Sequence, residues 1–121
     1  MVAQIKPSVR KKLEQRDPYC VHCGREDELQ VHHRRNRGMG GTKGKQAAST
    51  NNFQNLLRVC PDYNFQMEAN ARVAAQARGW GHKLSTWEDT AHPVFDCVTF
   101  TWYVLTTDGE KVEIVFQDNP F

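Results

Sequence analysis

The sequence predicts an α+β fold, and three observations carry that reading. Residues 29–32 (LQVH) alternate apolar and polar, and residues 55–60 (NLLRVC) form a second short β-prone run. Pro61 then opens a helical stretch over 62–78, giving the order strand, loop, strand, helix in mid-chain. Near the end, 98–105 (VTFTWYVL) and 111–116 (KVEIVF) flank Asp108-Gly109, a strong hairpin signal.

The elements follow in order. Residues 8–16 (SVRKKLEQR) read as a short basic helix with Ser8 as its cap and Pro7 ahead of it, and Asp17-Pro18 breaks it. Cys20-Val21-His22-Cys23 forms a CxxC knuckle with Gly24 as its turn residue, and Glu26 to Glu28 make an acidic loop. The strand over 29–32 ends at the pair His32-His33. Residues 34–52 (RRNRGMGGTKGKQAASTNN) hold four Gly and five Lys/Arg with almost nothing apolar, a flexible basic loop. In the helix, Phe65, Ala69, Arg72 and Val73 fall at helical spacing, and Gly79 supplies the stop. Residues 81–93 read as a connector. The expected organisation is a core over 1–80, that connector, and a hairpin over 94–121 packed on the core, all within one domain. Trp80, Trp87 and Trp102 are expected in the core, His22, His82 and His92 at turns or the surface, and Cys97 as a buried thiol on a strand.

Composition excludes several classes. The 121 residues include three Trp and six Phe with 39% hydrophobic content, too apolar for a wholly disordered chain. No apolar stretch approaches 18 residues and no apolar run follows the first positive charges. Neither a membrane span nor a secretory signal is expected, which points to the cytoplasm and away from membranes. The net charge of +2 hides an asymmetry. Residues 1–60 hold 12 Lys/Arg against 5 Asp/Glu, and residues 61–121 hold 4 against 9. The balance is +7 joined to −5, the pattern of a chain with one polyanion-facing half.

In a reducing compartment, paired cysteines hold metal more often than they form disulfides. Asn64 and Glu68 lie four apart, on one helix face, and a helix crossing the two strands brings that face toward the histidines. One imidazole, an amide oxygen and a carboxylate make a mixed N/O set for a hard or borderline divalent cation. The other imidazole is left as a base near neutral pH.

The run Arg16-Asp17-Pro18-Tyr19-Cys20-Val21-His22-Cys23-Gly24, then Val31-His32-His33-Arg34-Arg35, Gly38-Met39-Gly40-Gly41 and Asn55-Leu56-Leu57-Arg58-Val59-Cys60, resembles the HNH endonuclease family. The phrase HHRRNRGMGG is most similar to small HNH proteins of phages infecting actinobacteria. The resemblance covers about residues 10–80 and implies a ββα-metal (His-Me finger) core with an N-terminal helix and a C-terminal β-hairpin. It implies a DNA endonuclease or nickase that hydrolyses phosphodiester bonds to leave 5′ phosphates with one Mg²⁺ or Mn²⁺. His33 matches the general base, Asn55 the asparagine that fixes the loop holding it, and His32 the preceding metal ligand, with Asn64 and Glu68 completing the metal set. Arg34, Arg35, Arg37, Lys43 and Lys45 are the expected phosphate contacts, on double-stranded DNA. A phage origin, the bacterial host cytoplasm, and packaging proteins of the phage as partners are implied in the same way.

The sequence departs from the family at one element. Where the family ends its second strand with CxxCH, this chain reads Cys60-Pro61-Asp62-Tyr63-Asn64, so Tyr63 stands for a cysteine and Asn64 for a histidine. An asparagine at the same distance from the middle asparagine serves in the HNH domain of CRISPR effector nucleases. Cys20, Cys23 and Cys60 leave a structural zinc one ligand short. Three routes stay open: Asp62 ligates, Cys97 reaches in, or packing by Tyr63 replaces the metal. The departure also motivates a second reading, an HNH-fold protein that binds nucleic acid or a protein partner without cutting.

Overall fold

A computed structural model describes residues 5–35 and 51–115. Pro7 presets φ for a first helical turn, and α1 runs Pro7–Arg16. Because the proline occupies the first turn, the capping position moves upstream to Lys6, whose side chain makes no cap bond. Ser8 therefore lies inside the helix and is not its cap. Asp17 ends α1, and its carboxylate takes the buried Arg16 guanidinium at 2.9 and 2.8 Å. Arg16 also donates to the carbonyls of Phe53 and Leu56, and Arg58 donates to the Asp17 carbonyl. One buried charge pair thus fastens α1 to the second strand.

That strand, β2 (Leu56–Val59), pairs antiparallel with β1 (Gln30–His33), with His32 opposite Leu57 and His33 opposite Leu56. Asn55 sits in a single 3₁₀ turn, Phe53–Asn55, ahead of β2, where the sequence placed it in the strand. Pro61 starts a helix as expected, but residues 62–78 form two: α2 (Pro61–Ala69) and α3 (Ala71–Gly79). The break is Asn70, extended at φ −124° and ψ 115°, whose amide oxygen accepts from the N–H groups of Arg72 and Val73. An asparagine that can cap a helix competes with continuing one, and here the cap wins.

The second sheet is β3 (Val94–Asp96), β4 (Thr101–Leu105) and β5 (Lys111–Ile114), all antiparallel in that order. The expected hairpin is its β4–β5 pair, and β3 is an addition. The first hairpin strand starts at Thr101, not Val98, because the Asp96 carboxylate accepts from Val98 and Thr99 and turns the chain there. Val94 and Leu105 pack in one core with Leu57 and Val59 of β2, Tyr63 and Met67 of α2, and Ala77 of α3. None of the three tryptophans expected in the core is fully buried: Trp87 is 83% exposed, and Trp80 and Trp102 are half-buried. Among the described residues no helix is long and apolar enough to cross a membrane.

Residues 80–93 hold no helix or named strand, yet they are more than a connector. His82, Lys83 and Leu84 are buried, and Leu84 N–H donates to the Arg34 carbonyl at 2.6 Å beside an isolated parallel bridge between Arg35 and Leu84. The stretch enters through Gly81 at φ +73°, where an added Cβ would sit 2.0 Å from the Pro93 carbonyl oxygen. At Gly79, in α3, an added Cβ meets nothing within 4 Å.

Two glycines two positions apart should therefore respond with opposite signs. Gly79→Ala should raise unfolding free energy by about 0.5–1 kcal/mol, the helical cost of glycine. Gly81→Ala should lower it by about 2 kcal/mol or more, since left-handed backbone alone costs a non-glycine residue about 1–2 kcal/mol. Urea unfolding of both variants checks this, and effects of the same sign would refute the geometry.

Candidate functional site

Two side-chain clusters flank the ββα unit. At the end of β1, Asn55 is fully buried and grips the chain just beyond His33. Its Oδ1 accepts from Arg35 N–H at 2.7 Å, its Nδ2 donates to the Arg35 carbonyl at 3.2 Å, and its own carbonyl accepts from Arg34 N–H at 2.8 Å. His33 is half-buried, with Nε2 2.7 Å from Asn51 Oδ1, so the amide holds the proton on that nitrogen. The base and asparagine expected from the sequence thus lie in one constellation.

His32 alternates to the other, buried face of β1. Its Nε2 lies 2.8 Å from the His82 carbonyl, which accepts only, so the ring proton sits on Nε2 and the lone pair on Nδ1. Burial lowers its pKa to about 4, with the neighbouring Lys83 pushing the same way and Glu68 opposing. Glu68 is paired with the buried Lys83 ammonium at 2.6 Å, which holds its carboxyl below the ordinary carboxylate range. Asn64 does not join this group. Its amide donates to Gln30 at 2.8 Å, at the start of β1, whereas His32 lies near the end of that strand. Of the three expected ligands, His32 and Glu68 share a neighbourhood and Asn64 sits one helical turn away.

The second cluster is sulfur. Gly24 N–H closes the knuckle onto the Cys20 carbonyl at 2.8 Å, and Cys60 caps α2 with its Sγ accepting from Tyr63 N–H at 3.3 Å. The three sulfurs of Cys20, Cys23 and Cys60 lie within 4.8 Å of one another, close enough to hold a metal ion. Tetrahedral thiolates on zinc sit roughly 3.8 Å apart for a bond of about 2.3 Å, so the set needs only a small contraction. Among the described residues no other group of three His, Cys, Asp or Glu comes together in this way. Burial raises the Cys20 thiol to about 11. Burial also acts to raise Cys23, but hydrogen bonds from the Arg25 backbone and the other two cysteines outweigh it and leave that thiol below its ordinary value. Cys97 lies in the turn after β3, half-buried and outside the set.

Tyr63 and His82 join the clusters. The Tyr63 hydroxyl lies 2.6 Å from His82 Nδ1, and His82 Nε2 donates to the Phe95 carbonyl at 2.7 Å. The His22 ring stacks on Tyr63 at 3.9 Å. His82 is thus no surface histidine: it is fully buried, and burial drives its pKa down to about 3.

The basic residues need one correction. Arg34 has 0% exposure, and its guanidinium donates to the carbonyls of Gly81, Gln54, Thr90 and His92 at 2.6–2.9 Å. It holds the fold and is not a phosphate contact. Arg35 donates to the Glu88 carbonyl at 3.2 Å, and Arg37, Lys43 and Lys45 lie outside the described residues. Arg34, His82 and Lys83 are among the buried polar residues that sequence reasoning missed, with Arg16, Asp17, Thr90 and Asp96. The one cue was Gly81 so soon after Gly79, which marks a second tight turn behind the helix stop.

Arg34→Lys keeps a charge but has no fork to span four carbonyls, and it should cost about 3 kcal/mol or more in urea unfolding. The pH response has a definite sign. Folded His32 and His82 stay neutral down to about 4 and about 3, whereas unfolded histidine takes a proton near 6.5. In that window the unfolded chain binds more protons, so their contribution to stability is complete above 6.5 and is lost as pH falls toward 4. The urea midpoint should drop steadily from pH 6.5 to 5, and less steeply in His82→Asn; a flat midpoint would contradict the assignment.

No family model, curated protein or solved structure matches the chain.

Proposed function

We propose that the chain is a metal-dependent DNA endonuclease or nickase of HNH type, built on a ββα-metal core. The observation that carries this reading is the grip of Asn55 on both backbone groups of Arg35, directly beyond His33. A buried amide spent on fixing one peptide is what a base needs when it is the last residue of its strand. In this reading His33 takes the proton from the attacking water. The donor chemistry fits the expected cation. His32 offers Nδ1 while its Nε2–H is held by a backbone carbonyl, the usual outer contact of a ligating histidine. Glu68 offers a largely exposed carboxylate that is paired on one side with the buried Lys83 ammonium. Mg²⁺ or Mn²⁺ held there supplies charge neutralisation at the scissile phosphate and the departing 3′ oxygen. The sulfur set suits a different ion, Zn²⁺, which would staple the knuckle to the start of α2.

The second reading, binding without cleavage, is favoured by a specific observation: Asn64 is engaged by Gln30 and Glu68 by Lys83. Nicking of supercoiled plasmid decides between them. The parent should convert supercoiled to open circles with Mg²⁺ or Mn²⁺ and not with chelator, leaving 5′ phosphates that ligase reseals. His33→Ala should be about 10²-fold slower or worse. If parent and variant are equally inert with every metal, the nuclease reading fails; salt-sensitive retention of DNA by that inert parent would then support the binding module.

A further inference from the structure

We infer that Cys20, Cys23 and Cys60 form a three-thiolate metal centre whose fourth position is open to a cleft and takes an exchangeable neutral nitrogen ligand of imidazole type. The inference rests on the zinc reading of the cysteines and is independent of the nuclease reading.

The first ground is the count. Three sulfurs converge within 4.8 Å, and Asp62, His22 and Cys97 all stay outside that set. Tyr63, three residues after Cys60, offers no sulfur: its side chain is buried and its hydroxyl is committed to His82. Closed structural zinc sites use four protein ligands, and a centre with three keeps a position for water or an added ligand.

The second ground is access. A cleft of about 260 Å³ is lined by Cys23 and Cys60 together with His22, Asp62, Tyr63 and Gln66. Cys20 is buried while Cys23 is exposed, so the sulfur set has a dry side and a wet side, and the cleft lies on the wet one. Its volume exceeds what a single water needs and accommodates a five-membered ring.

The third ground is charge. Three thiolates on a divalent ion leave a net −1, and Asp62 at the cleft wall adds another negative charge. An anion entering that position meets repulsion, whereas a neutral imidazole nitrogen does not. Thiolate ligands also select zinc or cobalt over Mg²⁺ and Mn²⁺.

Cobalt(II) reports on both parts. The full-length chain, stripped with chelator and loaded with Co²⁺, should bind one ion with thiolate-to-cobalt charge-transfer absorption and a tetrahedral d–d band. Millimolar imidazole should shift the d–d band, and azide should shift it less. Cys23→Ser, at an exposed position that should leave folding intact by circular dichroism, should lose about a third of the charge-transfer intensity; Cys97→Ser should lose none. Absence of charge-transfer absorption in the parent defeats the zinc reading and this inference with it, while leaving plasmid nicking untouched. Charge transfer with a d–d band that imidazole cannot move defeats the open position alone. A band that moves only in Asp62→Asn makes Asp62 the fourth ligand and overturns the inference, and a larger response to azide than to imidazole overturns the ligand class.

Discussion

The Arg34 guanidinium, buried without a carboxylate partner, is the interaction on which the rest of the structure depends. Its planar fork reaches four carbonyls drawn from the 3₁₀ turn and from the irregular stretch behind α3. None of those carbonyls lies in a regular strand ladder, and backbone acceptors taken from water need a donor. Burial lowers the Arg34 pKa to about 10, with the nearby Arg16 acting in the same direction, and that still leaves the group charged at neutral pH. A single protonated side chain thereby gives residues 80–93 a reason to fold inward. It also fixes the ground on which Asn55 and His33 stand, because Arg34 and Arg35 are the two residues that Asn55 holds.

From that anchor the histidine and cysteine clusters follow as two ends of one polar seam. His82 gives its carbonyl to His32 and its ring to Tyr63 and Phe95. Tyr63 in turn carries His22 on its face and donates its own backbone N–H to Cys60 Sγ. No buried polar side-chain atom among the described residues lacks a partner. Burial keeps the His32 and His82 rings of the seam neutral.

Much of this was legible beforehand, and the limits have physical causes. The β1–β2 pair, the helix start at Pro61 and the β4–β5 hairpin came from periodicity and turn chemistry, both local signals. The cysteine cluster came from spacing, because a CxxC turn fixes two sulfurs regardless of the surrounding fold. Asn70 escaped because the same side chain is neutral inside a helix and favourable at its start, and only tertiary context decides. β3 escaped because three residues carry no period. Asn64 and Glu68 share a helix face, as their spacing requires, but a turn of helix separates them along the axis by about 6 Å. That distance is enough to put one beside Gln30 and the other beside Lys83. Arg34 was misread because its neighbours in sequence are basic and glycine-rich, and composition cannot distinguish a solvated arginine from one that four carbonyls have claimed.

The Tyr63–His82 hydrogen bond constrains how this chain can vary. A cysteine placed at 63 would add a thiol three residues after Cys60, but it would also remove the donor to His82 Nδ1 and empty the space under His22. Replacing His82 first strands the Tyr63 hydroxyl in the core instead. Positions 63 and 82 are therefore coupled: a change at either one leaves the other's buried polar group without its partner.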